Sequence, residues 1–505
     1  MRAIVSGLML LAGGAGVAAG QPPAPGEPFR YGNQRVATIQ APGTPEPAPA
    51  GLSESPRVRM VVLTDVGNEP DDSQSLVRLL TYANEMDIEA IVATTSASLT
   101  SENHPELIHA AIAAYGKVRP NLMVHAKGWP EASALAARVW AGSAGYGMAQ
   151  VGKGHDTPGS RAIVAAVDSK DTRPLWVTVW GGAADLAQAL WSVRATRDPA
   201  AVKRFVARLR VHAISDQDDS GPWIRQNFPD LFWIGSIHAF REYAVAGWAG
   251  IGFDIIQPDP AVNTKLVDHD WQKALGAIGP LGAAYPLSTG IMEGDTPSFL
   301  GLIPNGLNVP SRPDYGGWGG RHAKVSAAYG LYADASDTVK GLGGIVERGA
   351  RATVWRWREP VQNDFLARMR WSVSPRFADA NHPPAVVLNG QGGIAPLVIR
   401  ACAGARLALS AAGTSDPDSD TLTYRWWQYR EATFMLRTTQ TIEFVRAEGP
   451  EAELIVPTPS VNAPADYHVI LEVRDGGQPA LTRYRRVVLS IQRPPLPGAA
   501  CPARG

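Results

Sequence analysis

Apolar residues between positions 57 and 372 fall into two alternating patterns, short and nearly continuous runs and longer stretches with helical spacing. The first run, Val58 to Leu63, is followed by a helical pattern that starts at Leu76. Further runs at Ile88–Ala93 and Pro174–Trp180 are followed by helical patterns in the same way. Such runs indicate strands buried on both faces, and strands separated by helices indicate a mostly parallel sheet. We therefore predict an α/β domain that spans residues 57–372, with helices that flank the sheet.

The pattern changes after residue 372, where proline and asparagine interrupt any period and predict a linker at 373–383. From 384 to 493, short stretches of alternating polar and apolar residues are separated by turn signals such as Asp475-Gly476-Gly477. This pattern, over about a hundred residues, predicts an immunoglobulin-like β-sandwich, followed by a tail at 494–505. Within the α/β domain, Trp355 and Trp357 alternate with arginines, which predicts a strand with one aromatic face.

The chain begins with segments that do not belong to a folded core. Met1-Arg2 is followed by an apolar stretch and by the small residues Ala18-Ala19-Gly20, which is typical of a secretory signal peptide over residues 1–20. The alternative is an N-terminal membrane anchor, but the stretch is glycine-rich and short for a membrane span. Residues 21–56 are rich in proline and alanine and predict an extended or disordered leader. We therefore expect a periplasmic or secreted protein.

The charge balance narrows the range of binding partners, and the cysteine count limits the number of possible disulfides to one. Lysine plus arginine equals aspartate plus glutamate at 47 each, so the formal net charge is zero. A neutral balance argues against nucleic acid or an anionic membrane surface as the partner. Two cysteines, Cys402 and Cys501, could form one disulfide in an oxidising compartment or remain free thiols.

Four acidic residues follow the first strand of the α/β domain: Asp65, Glu69, Asp71 and Asp72. They lie where the strand ends and the next helix begins, and this edge of an open α/β sheet binds ligands. Carboxylates this close repel one another unless a cation joins them, and an all-oxygen set favours Ca²⁺ over Mg²⁺. The alternative is that Asp71 and Asp72 only cap the helix and favour its dipole.

The spacing of these acids resembles a known signature. Asp65-x-Gly67 followed by Asp71-Asp72 is similar to the Asp-x-Gly-x-Asp-Asp motif of the nucleoside hydrolase family, with a turn lengthened by two residues. The longer turn resembles the nucleoside-hydrolase-like domain of a family of secreted, carbohydrate-associated bacterial proteins, some described as cellulose-binding. The resemblance implies a nucleoside-hydrolase-like fold for the first domain.

The second domain resembles the same family. Ser415–Trp427 is similar to the strand-turn-strand of polycystic-kidney-disease-type modules. Together with Asn381–Pro384 and Leu481–Val487, it resembles the C-terminal domain of the carbohydrate-associated family. The run Asp416–Asp420 could hold a second Ca²⁺, but we interpret it as an acidic turn without an ion.

The nucleoside hydrolase resemblance implies Ca²⁺ ligands and roles. In that family a first aspartate, the second aspartate of a pair, a backbone carbonyl and a late aspartate hold the ion; the matching positions are Asp65, Asp72, Trp180 and Asp295. The resemblance also implies that Asp71 holds sugar hydroxyls and that Asp65 is the general base. The asparagines expected after the second strand are absent from Thr94–Ser98. This change argues against a nucleobase and favours a glycoside, with furanosides among the candidates.

The sequence offers several candidates for the general acid and for the remaining sugar contacts and does not choose among them. Glu293 and His238 are the candidates for the general acid, with His322 as a further one, and the alternative for each is a structural role. Polar and aromatic side chains in loops or at helix starts are candidates for sugar contacts, because rings can stack on sugars: Asn103, Trp223, Tyr315, Trp318 and His322. The alternative is that these side chains hold their own segments to the protein.

These observations predict a secreted, Ca²⁺-dependent glycoside hydrolase with one Ca²⁺ site and a carbohydrate substrate. The first alternative is a non-catalytic protein that binds a polysaccharide such as cellulose. The second is a nucleoside hydrolase. The identity of the sugar, its linkage and the oligomeric state stay open, a homo-oligomer included.

Overall fold

The computed structural model describes residues 57–237, 243–433, 440–458 and 466–492. In a separate unit, residues 1–43, it describes the backbone of two short antiparallel strands, β1 (Arg30–Tyr31) and β2 (Gln34–Arg35). The predicted signal peptide, the rest of the predicted leader and the predicted tail lie outside the described residues, as do His238 and Cys501. No helix within the described ranges is long and apolar enough to cross a membrane.

Eight strands form the central sheet of the α/β domain. They are β3 (Val58–Thr64), β4 (Met86–Ala93), β5 (Val139–Ala141), β6 (Leu175–Val179), β7 (Leu209–Ser215), β8 (Phe232–Ser236), β9 (His322–Lys324) and β10 (Leu331–Asp334). Their order across the sheet is β5-β4-β3-β6-β7-β8-β10-β9. Every neighbouring pair is parallel except β9 with β10. This arrangement confirms the predicted mostly parallel sheet.

Helices connect the strands. Between β3 and β8 lie α1 (Pro70–Leu80), α2 (Pro105–His125), α3 (Ala132–Ala136), α4 (Pro158–Asp168), α5 (Ala184–Thr196), α6 (Pro199–Ala207) and α7 (Ser220–Asn227). Later in the chain lie α8 (His269–Gly276), α9 (Gly279–Ala283), α10 (Pro297–Leu300), α11 (Ala352–Trp355) and α12 (Arg358–Trp371). A small antiparallel pair, β11 (Asp337–Lys340) and β12 (Val346–Gly349), precedes α11.

The helices cover both faces of the sheet. Met60 and Val62 of β3 belong to an apolar cluster with residues of α1, α2 and α12. Val61 and Leu63 belong to a second cluster, with residues of α4, α5 and α6. All four β3 side chains are completely buried. This burial on both faces explains why β3 is a nearly continuous apolar run rather than an alternating one.

α1 begins directly after the acidic turn, and its sequence explains its start. Pro70 occupies the first turn, where a missing N–H costs no helical hydrogen bond. Asp71 and Asp72 follow in the same turn, where the positive end of the helix dipole stabilises their negative charges. The helix therefore presents two carboxylates at the carboxyl edge of the sheet.

The last domain is a sandwich of two sheets. Its strands are β13 (Leu397–Cys402), β14 (Arg406–Ser410), β15 (Thr423–Gln428), β16 (Glu443–Arg446), β17 (Glu451–Ile455), β18 (Asp466–Arg474) and β19 (Thr482–Gln492). One sheet has the order β13-β19-β18-β15 and the other β14-β17-β16. Their inward-facing apolar residues form a core of their own. The predicted all-β sandwich is confirmed, and Cys402 is disulfide-bonded rather than free.

The sandwich packs directly on the α/β domain. Tyr429 belongs to the same apolar cluster as α12 and donates its hydroxyl proton to Asp337 (2.7 Å). Arg486, completely buried, donates to the carbonyls of Leu307 and Gly316 (2.9 Å each). The two domains therefore share a continuous interior.

The tryptophan–arginine alternation near residue 355 forms no strand. Trp355 ends α11, and Trp357 immediately precedes α12. The predicted strand is therefore wrong. Arg358 is buried like the two tryptophans and forms an ion pair with Asp254 (2.6 Å), and Arg356 is half-buried. In this segment, therefore, the alternation of arginine with tryptophan does not correspond to an alternation of exposed and buried side chains.

Candidate active site

Four carboxyl groups meet at the carboxyl edge of the sheet. Asp65 directly follows β3, Asp71 and Asp72 lie in the first turn of α1, and Asp295 lies in the turn before α10. All four line one cavity, and each is exposed by 6% or less. One carboxylate oxygen from each of Asp71, Asp72 and Asp295 lies within 4.8 Å of the other two. We call these four residues the acid corner.

A glycine lets the end of β6 approach Asp65. A Cβ atom on Gly181 would lie 2.6 Å from Oδ1 of Asp65, a distance that real Cβ atoms do not adopt. The side chain of Ser96 donates a hydrogen bond to Asp65. Trp180 lines the same cavity, and its carbonyl accepts a hydrogen bond from the side-chain amide of Gln217. A carbonyl oxygen has two lone pairs, so this one retains an acceptor position.

Neighbouring side chains fix Asp72 and Asp295. Thr64 donates its hydroxyl proton to Oδ1 of Asp72. The backbone carbonyl of Asp295 accepts from the hydroxyl of Ser298 (2.6 Å), which accepts from the indole N–H of Trp180 (2.9 Å). Oδ2 of Asp295 is buried and has no hydrogen-bond partner among the described residues. A carboxylate oxygen that lacks a donor and lies beside two other carboxylates fits a cation site.

A buried ion pair holds the turn of Asp295 against α1. Arg78 donates from Nε (2.5 Å) and Nη2 (3.0 Å) to the two carboxylate oxygens of Glu293, and both side chains are completely buried. Tyr285 also donates its hydroxyl proton to Glu293 (2.6 Å). Because Arg78 and the paired aspartates lie on the same helix, this ion pair positions Asp295 beside them. Glu293 is thus a positioning residue outside the cavity lining, which corrects its predicted role as general acid.

Burial and mutual repulsion raise the pKa of all four carboxyl groups. Loss of solvent is the largest cause in each case. The pKa of Asp65 rises to about 6 and that of Asp71 to about 7, and repulsion by Glu69 adds to both. The pKa values of Asp72 and Asp295 rise well above the ordinary range, because each also faces neighbouring carboxylates. Among the described residues that line the cavity there is no lysine, arginine or histidine, so a bound cation could keep these acids ionised.

Apolar and aromatic side chains complete the cavity lining. Tyr243 and Trp248 have ring centroids 5.3 Å apart, and they pack in one small cluster with Ile214 and Ile291. Trp248 donates its indole N–H to the hydroxyl of Ser215 (3.2 Å). The cavity has a volume of about 30 Å³, which is room for an ion or water but not for a sugar ring. A sugar would therefore bind at the mouth of the cavity.

Two predicted sugar contacts lie at the interface with the sandwich instead. Tyr315 is 1% exposed and packs edge-on against His468 (4.3 Å between ring centroids). Trp318 is completely buried and packs edge-on against Tyr484 (6.4 Å). A Cβ atom on Gly316 would lie 2.5 Å from the hydroxyl oxygen of Tyr429, so glycine lets this loop approach the sandwich closely. The prediction that they bind sugar is therefore wrong.

Three further predicted contacts also lie away from the cavity lining. His322 is buried in β9, and its ring packs edge-on against His212 (5.1 Å). Trp223 lies on α7 and packs against Phe228 (6.1 Å). Asn103 donates its amide to the carbonyls that follow β5, at residues 142 and 143. His322 is buried in the fold, which corrects its predicted role, whereas Trp223 and Asn103 are half-buried and stay predictions. His238 lies outside the described residues.

Sequence reasoning missed Tyr243, Trp248 and Gln217. Gln217 follows β7, so its place after a parallel strand was a usable signal. Trp248 and Tyr243 come from a segment of short 3₁₀ turns after β8, which has no periodic pattern to place it. Only the folded chain brings these rings to the end of β3.

The sheet and the acid corner define a nucleoside-hydrolase-like α/β protein with an appended β-sandwich. Residues 59–322 match the family model described as "Cellulose-binding Sde182, nucleoside hydrolase-like domain". Residues 406–491 match "Cellulose-binding protein Sde0182, C-terminal domain". The chain belongs to this family, which confirms the family resemblance seen in the sequence.

Solved structures give the same result. A protein from Saccharophagus degradans is 35% identical with a TM-score of 0.72, and the match covers 86% of this chain and 100% of that chain. It is described as a nucleoside hydrolase-related hypothetical protein that is associated with carbohydrate metabolism. A PKD domain from KIAA 1837 protein is 14% identical, and the match covers 22% of this chain and 89% of that chain. Its TM-score of 0.15 is too low to support a structural relationship. No curated protein matches the chain.

Proposed function

We propose that this protein is a Ca²⁺-dependent glycoside hydrolase that acts on a carbohydrate outside the cytoplasm. The observation that carries the proposal is the acid corner, in which Oδ2 of Asp295 is buried without a donor among the described residues. The family supports a carbohydrate substrate, because its two domains are described as cellulose-binding and the first as nucleoside hydrolase-like.

The donor set of the acid corner fits Ca²⁺. Asp72 and Asp295, whose oxygens lie within 4.8 Å of each other, would hold the ion together with Asp65 and the carbonyl of Trp180, and Asp71, the third member of that cluster, could bind it as well. Water and sugar hydroxyls could complete the roughly six to eight oxygen ligands that Ca²⁺ takes. When bound, the ion would supply positive charge and lower the pKa of a water molecule.

The side chains of the site would supply the remaining functions. Asp65 would accept the proton of the attacking water, with Ser96 holding its carboxylate in place. Asp71 would accept hydrogen bonds from sugar hydroxyls. Trp248 and Tyr243 would contact the apolar face of the sugar. Water placed between a base and the anomeric carbon attacks opposite the leaving group, so we expect inversion of configuration.

Glu69 replaces Glu293 as the candidate general acid. Glu69 lines the same cavity, is exposed to solvent and belongs to the lengthened turn. A protonated carboxyl group there could donate to the leaving oxygen. Glu69→Gln should therefore lose activity on alkyl glycosides and oligosaccharides but retain it on aryl glycosides whose phenolate leaves unaided. Equal loss on both substrate types would contradict this role.

Sugar release by metal-free protein tests the proposed activity. We expect release from a plant or bacterial polysaccharide only after Ca²⁺ is added, and no release of base from nucleosides. Asp65→Asn and Asp72→Asn should abolish the activity, whereas Asp230→Asn, which removes an exposed charge, should preserve it. Activity that survives both Ca²⁺ removal and Asp72→Asn would refute the proposal.

Binding of a polysaccharide without cleavage is the second candidate function, and a second cavity favours it. This cavity of about 330 Å³ lies between the α/β domain and the sandwich, and Trp357, Trp427 and Tyr484 line it together with arginines. Aromatic rings beside a few polar groups are a common setting for small ligands. Retention on insoluble cellulose without sugar release would support this function. Retention that is unchanged in Trp427→Ala would exclude this cavity as its site.

A further inference from the structure

The turn between β14 and β15 contains a second cluster of carboxylates, separate from the acid corner. One carboxylate oxygen from each of Asp416, Asp418 and Asp420 lies within 4.8 Å of the other two. Acidic turns are common on protein surfaces, so this cluster alone does not define a site.

Three buried oxygen atoms around this turn have no hydrogen-bond donor in the described part of the chain: Oδ2 of Asp416, Oδ2 of Asp475 and Oδ1 of Asn381. The side chains of Asp475 and Asn381 are 3% and 8% exposed. His382, the residue after Asn381, donates its backbone N–H to Oδ2 of Asp418 (2.6 Å). Asn381 donates its amide to the other carboxylate oxygen of Asp475 (3.1 Å). The pair of Asn381 and Asp475 is therefore linked to the acidic turn through His382.

Asp416, which is half-buried, and Asp475, which is buried, each accept hydrogen bonds from the backbone with one oxygen only. Oδ1 of Asp416 accepts two backbone N–H groups of its own turn, at 2.8 and 3.0 Å. Oδ1 of Asp475 accepts two backbone N–H groups of the loop before β19, at 3.1 and 2.8 Å. Each carboxylate thus satisfies the backbone with one oxygen and leaves the other bare. Buried carboxylate oxygens without a donor, close to a turn that carries further carboxylates, favour a bound cation.

We propose that Asp416, Asp418, Asp420 and Asp475, with the amide oxygen of Asn381, form a second Ca²⁺ site. All donors are oxygen, which excludes the softer metals. Four carboxylates and an amide suit the high coordination number of Ca²⁺, whereas Mg²⁺ is usually held by one or two carboxylates and water. The proposal of this second site does not depend on whether the acid corner is catalytic.

The position of this site connects the two domains. Asn381 and His382 belong to the segment between α12 and the sandwich. His382 donates its backbone N–H to Asp418 (2.6 Å), and its ring stacks on Phe377 (3.6 Å) and Trp371 (5.2 Å). An ion held by Asn381 and by two loops of the sandwich would fix the sandwich to the end of α12. Ca²⁺ should therefore slow proteolytic cleavage of this segment.

Calcium titration of the full-length, metal-free protein tests the proposal. Isothermal titration should give one more equivalent of Ca²⁺ for the wild type than for the double variant Asp416→Asn/Asp475→Asn. Asparagine keeps one oxygen for the backbone hydrogen bonds, and circular dichroism checks that the variant folds. Asp379→Asn removes an exposed acid of the same segment and is the matched control, with full stoichiometry. Equal stoichiometry in the wild type and a folded double variant would overturn the proposal.

Two further variants keep the result unambiguous. Asp72→Asn should remove the equivalent of the acid corner and leave this one, so failure of either site is seen separately. Asp420 accepts no hydrogen bond from the described residues, so Asp420→Asn changes the charge without disturbing the turn. It should weaken the second equivalent by at least about tenfold and remove the protection of the segment from proteolysis. Unchanged affinity in folded Asp420→Asn would contradict its place as a ligand.

Discussion

In protein free of divalent cations, the contribution of Asp65 and Asp71 to stability should fall as the pH rises from about 4 to about 7. His212, His322 and His468, whose pKa values are lowered by burial, act in the opposite direction with or without Ca²⁺, so the quantity to compare is the stability with and without Ca²⁺. The folded-state pKa values of Asp65 and Asp71 are raised, so in this range the folded protein keeps protons that the unfolded chain has lost. The free energy of unfolding falls with rising pH wherever the folded state binds more protons than the unfolded one. Bound Ca²⁺ would replace those protons, so we expect the stability gained from saturating Ca²⁺ to grow over this pH range.

The size of this fall follows from the two carboxyl groups. The pKa of Asp65 rises from 3.8 to about 6 and that of Asp71 from 3.8 to about 7. At about 1.4 kcal/mol for each pH unit of difference, the two groups alone would contribute about 3 and about 4 kcal/mol. Their charges interact, so the contributions overlap rather than add. We expect the stability difference between Ca²⁺-saturated and metal-free protein to grow by at least about 3–5 kcal/mol over this range, because the pKa values of Asp72 and Asp295 are raised as well.

Urea unfolding between about pH 4 and pH 8 measures this difference. The protein is freed of metal by dialysis, because common chelators lose affinity in acid. Asp72→Asn should make the curves with and without Ca²⁺ more alike, whereas Asp230→Asn should not. The comparison is made in the Asp416→Asn/Asp475→Asn background, which removes the second proposed Ca²⁺ site. A difference between the curves with and without Ca²⁺ that stays constant or shrinks as the pH rises over this range would refute the reasoning.

Three further substitutions test how the site is built. Gly181→Ala should lower the Ca²⁺ affinity of the acid corner at least about tenfold, because its Cβ would lie 2.6 Å from Asp65; Gly290→Ala, whose Cβ meets nothing within 4 Å, is the matched control in the same titration. Glu293→Gln should lower the free energy of unfolding by about 3–5 kcal/mol, because its buried arginine partner loses its counter-charge; urea unfolding measures this loss. Trp248→Ala should raise KM for a carbohydrate by about tenfold and leave Ca²⁺ affinity unchanged, as kinetics and calcium titration together would show.

The sheet and the acid corner could be predicted because both depend on local signals. β3 is buried on both faces, so its apolar run is visible in the sequence. Pro70 marks the start of α1, and the aspartates lie between these two elements. Only Asp295, which arrives from far along the chain, needed the family resemblance to be found.

Other candidates failed because burial by distant parts of the chain has no local signal. Tyr315 and Trp318 lie in a loop whose glycines and prolines are typical of an exposed binding loop, yet the sandwich covers them. The sequence around Glu293 gives no sign of an ion-pair partner, but in the folded protein Glu293 forms an ion pair with Arg78 of α1. In each case the contact joins segments that are far apart in sequence.

The two sides of the site come from different kinds of structure, and this separation has a consequence for specificity. Asp65, Asp71 and Asp72 belong to one strand–helix unit whose geometry is fixed by a fully buried strand. Tyr243 and Trp248 come from short turns after β8, which can change without disturbing the sheet. Ion binding should therefore depend on the first unit, whereas the choice of sugar should depend on the second. Exchange of the turns after β8 between members of this family should then change the preferred carbohydrate and keep the Ca²⁺ requirement, and a joint loss of both would show that the two sides are not separable.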